Sequence, residues 1–284
     1  MDGFLLIDKP SGVTSFDVVR GVRRFFPFKI KIGHTGTLDP LATGLLILSV
    51  GKATRFGEYL LKQDKCYVVG GRFGFSSDTY DTDGNVKNID MAGVSEYRFL
   101  NVLSSFKGEI EQVPPSFSAI RIKGKRAYEL ARKGEEVKLK PRKVTIYSID
   151  VLSFSYPDFS LKVCCSSGTY IRSLIHDIGV ACGGDAVVTS LRRVSIGKIS
   201  VEEAVSIDIL NADNVGNYIV PVDRVLPFDR LTVTSPYSCW FLNGRHFPVP
   251  VSDGRYCVVD ESGKFLGVGS VHSGVLKPDK VVSQ

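Results

Sequence analysis

The chain has 284 residues, 43% of them hydrophobic and 23% charged, a balance that supplies a packed core and excludes the disordered class. No apolar run approaches the roughly 18–20 residues needed to cross a bilayer, and no basic leader with an apolar centre opens the sequence, so no membrane partner and a cytoplasmic location are expected. The formal charge of +6 and pI near 8.9 are moderate, but the basic residues are clustered.

Length alone predicts one main domain with a smaller appendage. Phe4 to Ile7 is a short apolar run closed by the turn Asp8-Lys9-Pro10-Ser11-Gly12. Thr14 is placed to cap a helix whose Val18, Val19, Val22, Phe25 and Phe26 share one face, and Pro27 stops it. Arg20, Arg23, Arg24, Lys29 and Lys31 follow with no acid between them. Next comes Gly33-His34-Thr35-Gly36-Thr37-Leu38-Asp39-Pro40-Leu41-Ala42-Thr43-Gly44, a turn-rich segment that fixes one carboxylate just ahead of a proline.

Leu45 to Val50 reads equally as a helix or a buried strand. Cys66 to Phe73 reads as a strand, followed by a polar loop with Asp78, Asp81 and Asp83. The spacing of those acids is not that of an EF-hand, so no calcium site is expected. Phe99, Val102, Leu103 and Phe106 mark a second amphipathic helix. A basic stretch follows, from Arg121, Lys123, Lys125 and Arg126 through Arg132 and Lys133 to Arg142 and Lys143. It is offset only by Glu129, Glu135 and Glu136, and it flanks a short helix over 127–132. Such clustering suits either a polyanion footprint or a solvated face.

Val144 to Cys165 reads as a hairpin, and Tyr170 to Ile178 as a helix with Tyr170 and Arg172 in its first turn. Residues 220–227 read as a tether leading to short β runs separated by Asn-Gly, Asp-Gly and Ser-Gly turns, which suit a small β barrel. The six cysteines contain no C-x-x-C, so reduced structural thiols are expected and a zinc site is not. P-loop, Rossmann, G-x-S-x-G and H-E-x-x-H signatures are all missing.

Residue types leave Asp39 with two readings. It is a loop-capping carboxylate, or it is a nucleophile kept ionised by a fixed cation. Arg172 is the cation suited to that second role, because its fork orients a carboxylate. Tyr67 and Tyr170 offer flat faces for a planar substrate. His34 lies in the same polar loop as Asp39, whereas His176 reads as structural.

The Asp39 segment resembles the catalytic segment of the bacterial TruB family, the tRNA pseudouridine-55 synthases. Further likenesses to that family occur in order along the chain: Asp8 to Ser15, Gly51-Lys52-Ala53-Thr54-Arg55, Val113 to Ala119, Gly124 to Arg132, Gly168 to Arg172, and Leu191-Arg192-Arg193. The resemblance implies an α+β pseudouridine-synthase fold with a mixed, largely antiparallel sheet and a central cleft over 1–228, including an RNA-binding insertion over about 88–143. A PUA-like β barrel is implied over 229–284. Asp39 would be the nucleophile, Tyr67 the residue stacked on the target base, and Arg172 the partner of Asp39. His34, Tyr170, Leu191, Lys9, Arg55, Arg121, Lys123, Lys125, Arg126 and Arg132 would meet RNA. The implied substrate is a uridine swung out of the tRNA T-loop. Metal, organic cofactor and obligate protein partner are not expected, and a monomer is.

Two departures from the family pattern are visible: Arg121 stands where lysine is common, and Gly183 to Val187 lacks a histidine often found there. Attack at the sugar C1′ or at base C6 stays open. A tRNA chaperone without catalysis and a hydrolase releasing free uracil are the competing classes, separated by whether pseudouridine is retained in the RNA.

Overall fold

A computed structural model of the chain describes residues 2–118, 120–122, 124–131 and 139–282. The first strand, β1 (Gly3–Lys9), has Leu5 and Ile7 on one face and Phe4 and Leu6 on the other, and both faces are buried. Helix α1 (Ser15–Arg23) starts at Thr14, whose hydroxyl accepts from Asp17 N while the Asp17 carboxylate accepts from Thr14 N. That reciprocal cap satisfies donors left over at a helix start. Val18, Val19 and Val22 are buried beneath α1.

Strand β2 (Ile32–His34) leads into the Asp39 loop, and β3 (Thr43–Val50) leaves it. The run from Leu45 to Val50 is therefore a strand. Its apolarity, interrupted only by the buried Ser49, comes from burial on both faces: Leu46, Leu48 and Val50 enter one core, and Leu45 and Ile47 the other. A 3-10 turn over Gly51–Arg55 and α2 (Gly57–Leu61) precede β4 (Lys65–Phe73). Then come the short pair β5 (Phe75–Ser76) and β6 (Lys87–Asn88), helix α3 (Glu96–Ser105) and β7 (Gly108–Gln112).

Two-residue strands β8 (Arg121–Ile122) and β9 (Lys125–Arg126) pair in the basic stretch, followed by α4 (Ala127–Ala131). Lys123 and Arg132 lie outside the described residues. The predicted hairpin is β10 (Arg142–Ser155) with β11 (Asp158–Cys165), and the predicted helix is α5 (Ile171–Ala181). Strand β12 (Ala186–Ile196) returns to the sheet centre, with β13 (Ile199–Ser200), β14 (Val205–Ser206) and β15 (Ile219–Val220) at its margins.

The main sheet runs β14-β1-β3-β12-β4-β11-β10-β7, with β2 on β3, β13 on β12 and β15 on β1. Among the described strand pairs of this sheet, only β1–β14 and β3–β12 are parallel, so the sheet is mixed and largely antiparallel. Residues expected to form a tether instead fold as α6 (Val222–Val225). Val222, Val225 and Leu226 are buried in the core that also holds Phe4, Phe56, Cys257 and Val268. Apolar spacing too short to show a period concealed this packing. The tail comprises β16 (Asp229–Val233), α7 (Tyr237–Leu242), β17 (Phe247–Pro248), β18 (Gly254–Asp260), β19 (Phe265–His272) and β20 (Val275–Val281). Its five strands form a curled half-barrel of the PUA-like kind in the order β16-β18-β19-β20-β17.

The expectation of reduced thiols throughout is corrected. Cys66 on β4 and Cys164 on β11 are register partners with Cα atoms 4.1 Å apart, and they are disulfide-bonded. Their 98-residue separation hides a neighbour relation that only strand pairing creates. Cys165, next along β11, points to the opposite face and is a buried free thiol.

Candidate active site

The Asp39 loop is held from the opposite side by the loop after β1. Ser15 Oγ, buried at the start of α1, accepts from Leu38 N (2.8 Å) and donates to Leu38 O (3.0 Å). Gly12 N donates to Pro40 O (2.9 Å), and Ser11 Oγ donates to Leu41 O (3.1 Å). Lys9 Nζ donates to Pro10 O, Val13 O and Pro40 O at 2.9, 2.7 and 3.2 Å. Lys9, expected from sequence to meet RNA, has no exposed surface here, and its three donors face carbonyls of the two loops. Burial lowers its pKa to about 8, opposed chiefly by the Asp39 charge.

Gly44, where β3 begins, shows why this loop needs glycine. Its φ is +97°, and a Cβ there would lie 2.3 Å from Arg193 O. Only a residue without a side chain lets β3 lie so close to β12.

That close approach positions Arg193, which the sequence showed only as part of a motif. Arg193 is buried beneath the Asp39 loop, donating from Nε to Leu45 O (2.8 Å) and from Nη2 to Gly36 O (3.1 Å). It is also the register partner of Tyr67 across β12 and β4. Burial pushes the Tyr67 phenol above its usual pKa, with Arg193 acting in the opposite direction. Tyr67 is thus a neutral ring at physiological pH, suited to stacking and poorly suited to act as a free phenolate base.

Arg172 enters from the first turn of α5. Gln112 of β7 fixes this end of the helix, accepting from Tyr170 N (2.8 Å) and donating to Tyr170 O (3.0 Å). Arg172 is 5% exposed and its Nε lies 2.9 Å from Asp39 Oδ2. The contact is one of charge, since the Nε–H is not aligned on that oxygen. Nη1 donates to Thr79 O (2.8 Å) and lies 3.4 Å from Asp81 Oδ2, while Nη2 donates to Phe117 O (3.0 Å). Asp81, read from sequence only as one of three loop acids, is therefore a buried second carboxylate on the same arginine. Burial raises its pKa, while Thr79 and Arg172 favour its charged form.

The Asp39 side chain is 37% exposed. The site thus presents one accessible carboxylate, backed by a buried arginine and approached by the Tyr67 strand. Leu191 lies on β12 opposite Val69 and is 7% exposed. Tyr170 is half-buried, with the Arg142 guanidinium 4.5 Å from its ring centre. His34 is half-buried at the end of β2. Arg55 is exposed at the junction with the tail, where its carbonyl accepts from Lys280 Nζ (2.8 Å). Side chains of Arg121, Lys125 and Arg126 lie outside the described set, although their backbone forms the β8–β9 pair.

The model of the TruB family pseudouridylate synthases, N-terminal domain, matches residues 23–171. The tRNA pseudouridine synthase B of Aquifex aeolicus (strain VF5) is 44% identical over 291 residues, covering 99% of this chain and 100% of the relative. The chain belongs to the TruB family. Another TruB relative, the tRNA pseudouridine synthase B of Clostridium kluyveri, is 43% identical over 278 residues and 95% of each chain. Among solved structures, a chain of a Cbf5-Nop10-Gar1 complex matches with a TM-score of 0.74 at 25% identity, covering 99% of this chain and 84% of that one. A chain of an H/ACA RNP bound to a substrate RNA containing 2'-deoxyuridine matches at 0.73 and 23% identity, covering 99% of this chain and 85% of that one. That second likeness bears on the fold alone.

Proposed function

We propose that this TruB-family enzyme converts uridine 55 in the tRNA T-loop to pseudouridine, with Asp39 as the nucleophile. The observation that carries the reading is the pairing of the half-exposed Asp39 carboxylate with a buried, multiply anchored Arg172. A fixed cation holds the carboxylate in place without being reoriented during the reaction.

Isomerisation breaks the N1–C1′ bond and forms a C5–C1′ bond, after which the C5 proton is lost and N1 gains one. No electrons are exchanged with another reagent, so the chemistry asks for charge placement and proton movement. The target uridine must leave the loop stack, at about a few kcal/mol. Tyr67 would support the extruded base on its ring, Leu191 would give an apolar wall, and Tyr170 would line the opposite side. His34 would stack in the space the base leaves in the RNA loop.

The lysines and arginines of the insertion and the exposed Arg55 would follow phosphates, as suits a folded RNA recognised by shape. Full-length likeness to relatives named tRNA pseudouridine synthase B supports tRNA as the substrate. The enzyme is taken to act alone, as a monomer in the cytoplasm. The experiment is incubation with unmodified tRNA and mapping of pseudouridine at nucleotide resolution. Modification at position 55 supports the reading; unmodified tRNA, or modification only elsewhere, overturns it.

A further inference from the structure

Two of the groups that hold Arg172, Thr79 O and the Asp81 carboxylate, stand on either side of Tyr80. That residue has φ +62°, a left-handed backbone that side chains with a Cβ seldom adopt. Hydrogen bonds pin its backbone: Tyr80 N donates to Ser77 O (3.1 Å), and Val188 N on β12 donates to Tyr80 O (3.0 Å). The ring lies flat on His176, with centroids 4.1 Å apart and planes 9° from parallel.

His176 follows Arg172 by one turn of α5, so both side chains lie on one face of the helix. The helix thus grips three consecutive residues of the loop: Arg172 takes 79 and 81, and His176 takes the ring of 80. His176 is itself held, because Nδ1 lies 2.6 Å from Asp185 Oδ1. Asp185 is fixed in turn: Ala186 N donates to its Oδ1 (2.7 Å), and Gly74 N donates to its carbonyl (3.1 Å). Burial opposes a charge on His176, but Asp185, helped by Asp177 on the same helix, outweighs it and raises the imidazole pKa. The Tyr80 hydroxyl stays neutral, its pKa raised by burial and by Asp177 and Asp185.

We propose that Tyr80, His176 and Asp185 are positioning residues: the Tyr80–His176 stack and the His176–Asp185 hydrogen bond set the loop where Thr79 and Asp81 meet Arg172, and thereby fix the Arg172–Asp39 pair. None of the three touches the reacting atoms. The inference rests on Asp39 being the reacting carboxylate.

The test uses the full chain and a T stem-loop RNA carrying tritium at uridine C5, which is released when C5 bonds to C1′. Tyr80→Gly removes the ring while suiting the left-handed backbone, and Tyr80→Phe keeps the ring. For Tyr80→Gly, single-turnover release is expected to slow about ten- to hundredfold, the scale for a slightly misplaced catalytic group. RNA affinity should stay within about twofold, the signature of an interaction used in the reaction and not in binding. Tyr80→Phe should restore the rate, and combining Tyr80→Gly with Asp81→Asn should cost little beyond Asp81→Asn alone, because both act through one contact.

A wild-type rate in Tyr80→Gly, or losses that simply multiply in the double variant, overturns the proposal. Should Tyr80→Gly fail to fold by thermal melting, His176→Ala serves as the second probe and carries the same expectations. A wild-type chain that releases no tritium removes the functional reading itself; an active wild type with an unaffected Tyr80→Gly removes only the positioning role.

Discussion

Replacing Arg172 with lysine keeps the charge and removes the fork, so it asks whether Asp39 needs an oriented partner or merely a cation. The guanidinium serves Asp39 Oδ2, Asp81 Oδ2, Thr79 O and Phe117 O from three nitrogens in one plane. A single ammonium cannot reach all four. Each buried acceptor left unmet costs about 1–3 kcal/mol, so losing the two carbonyl contacts lowers stability by about 2–6 kcal/mol. Asp39 then samples orientations that the pair now excludes, and a displacement near 1 Å slows chemistry about hundredfold. The assay is single-turnover tritium release with enzyme in excess, alongside filter binding of the same RNA and thermal unfolding. Because Arg172 is only 5% exposed, RNA affinity should stay within about threefold, as for a group that acts on the reaction step. A rate within about threefold of wild type would refute the argument that orientation by this arginine matters.

The remaining expectations concern the supports of the site. Lys9→Met removes the ammonium that ties the two loops, and pseudouridine formation should fall while RNA binding persists. It also has a pH signature. The folded pKa of Lys9 is lowered to about 8, so the cost of burying its charge is full below about 8 and is relieved as pH rises toward the unfolded value near 10.4. Wild-type stability relative to Lys9→Met should therefore climb over that window, by up to about 3 kcal/mol, in denaturant titrations at several pH values. A flat difference would contradict it. Tyr67→Phe keeps the ring and removes only the hydroxyl, so if Tyr67 serves by stacking, pseudouridine formation and RNA affinity should both stay within about tenfold of wild type, read by tritium release and filter binding.

Much of this was legible in the sequence because local chemistry and tertiary structure agree. The Thr14 cap and the hairpin over 144–165 follow from short-range rules, and both form; the first helix ends at Arg23, ahead of the expected stop at Pro27. Asp39 and Arg172, 133 positions apart by their numbers, were joined through chemistry, and the structure places them in contact. Other relations depend on sheet register, which no local pattern encodes. Arg193 meets Tyr67, and Cys66 meets Cys164, only because β4 lies between β12 and β11. Asp81 was invisible as a partner of Arg172 because its loop resembles any polar acidic turn. The enclosure of Lys9 was equally hidden, because a lysine beside a turn is ordinarily exposed; here carbonyls from two facing loops enclose it.

The central claim is that the Asp39 carboxylate reacts with the target uridine. The most direct measurement compares wild type and Asp39→Asn on unmodified tRNA, recording both binding and pseudouridine at position 55. The near-isosteric amide keeps the shape and removes the charge, so binding should stay within about tenfold while product disappears. Substantial pseudouridine from Asp39→Asn would contradict the account.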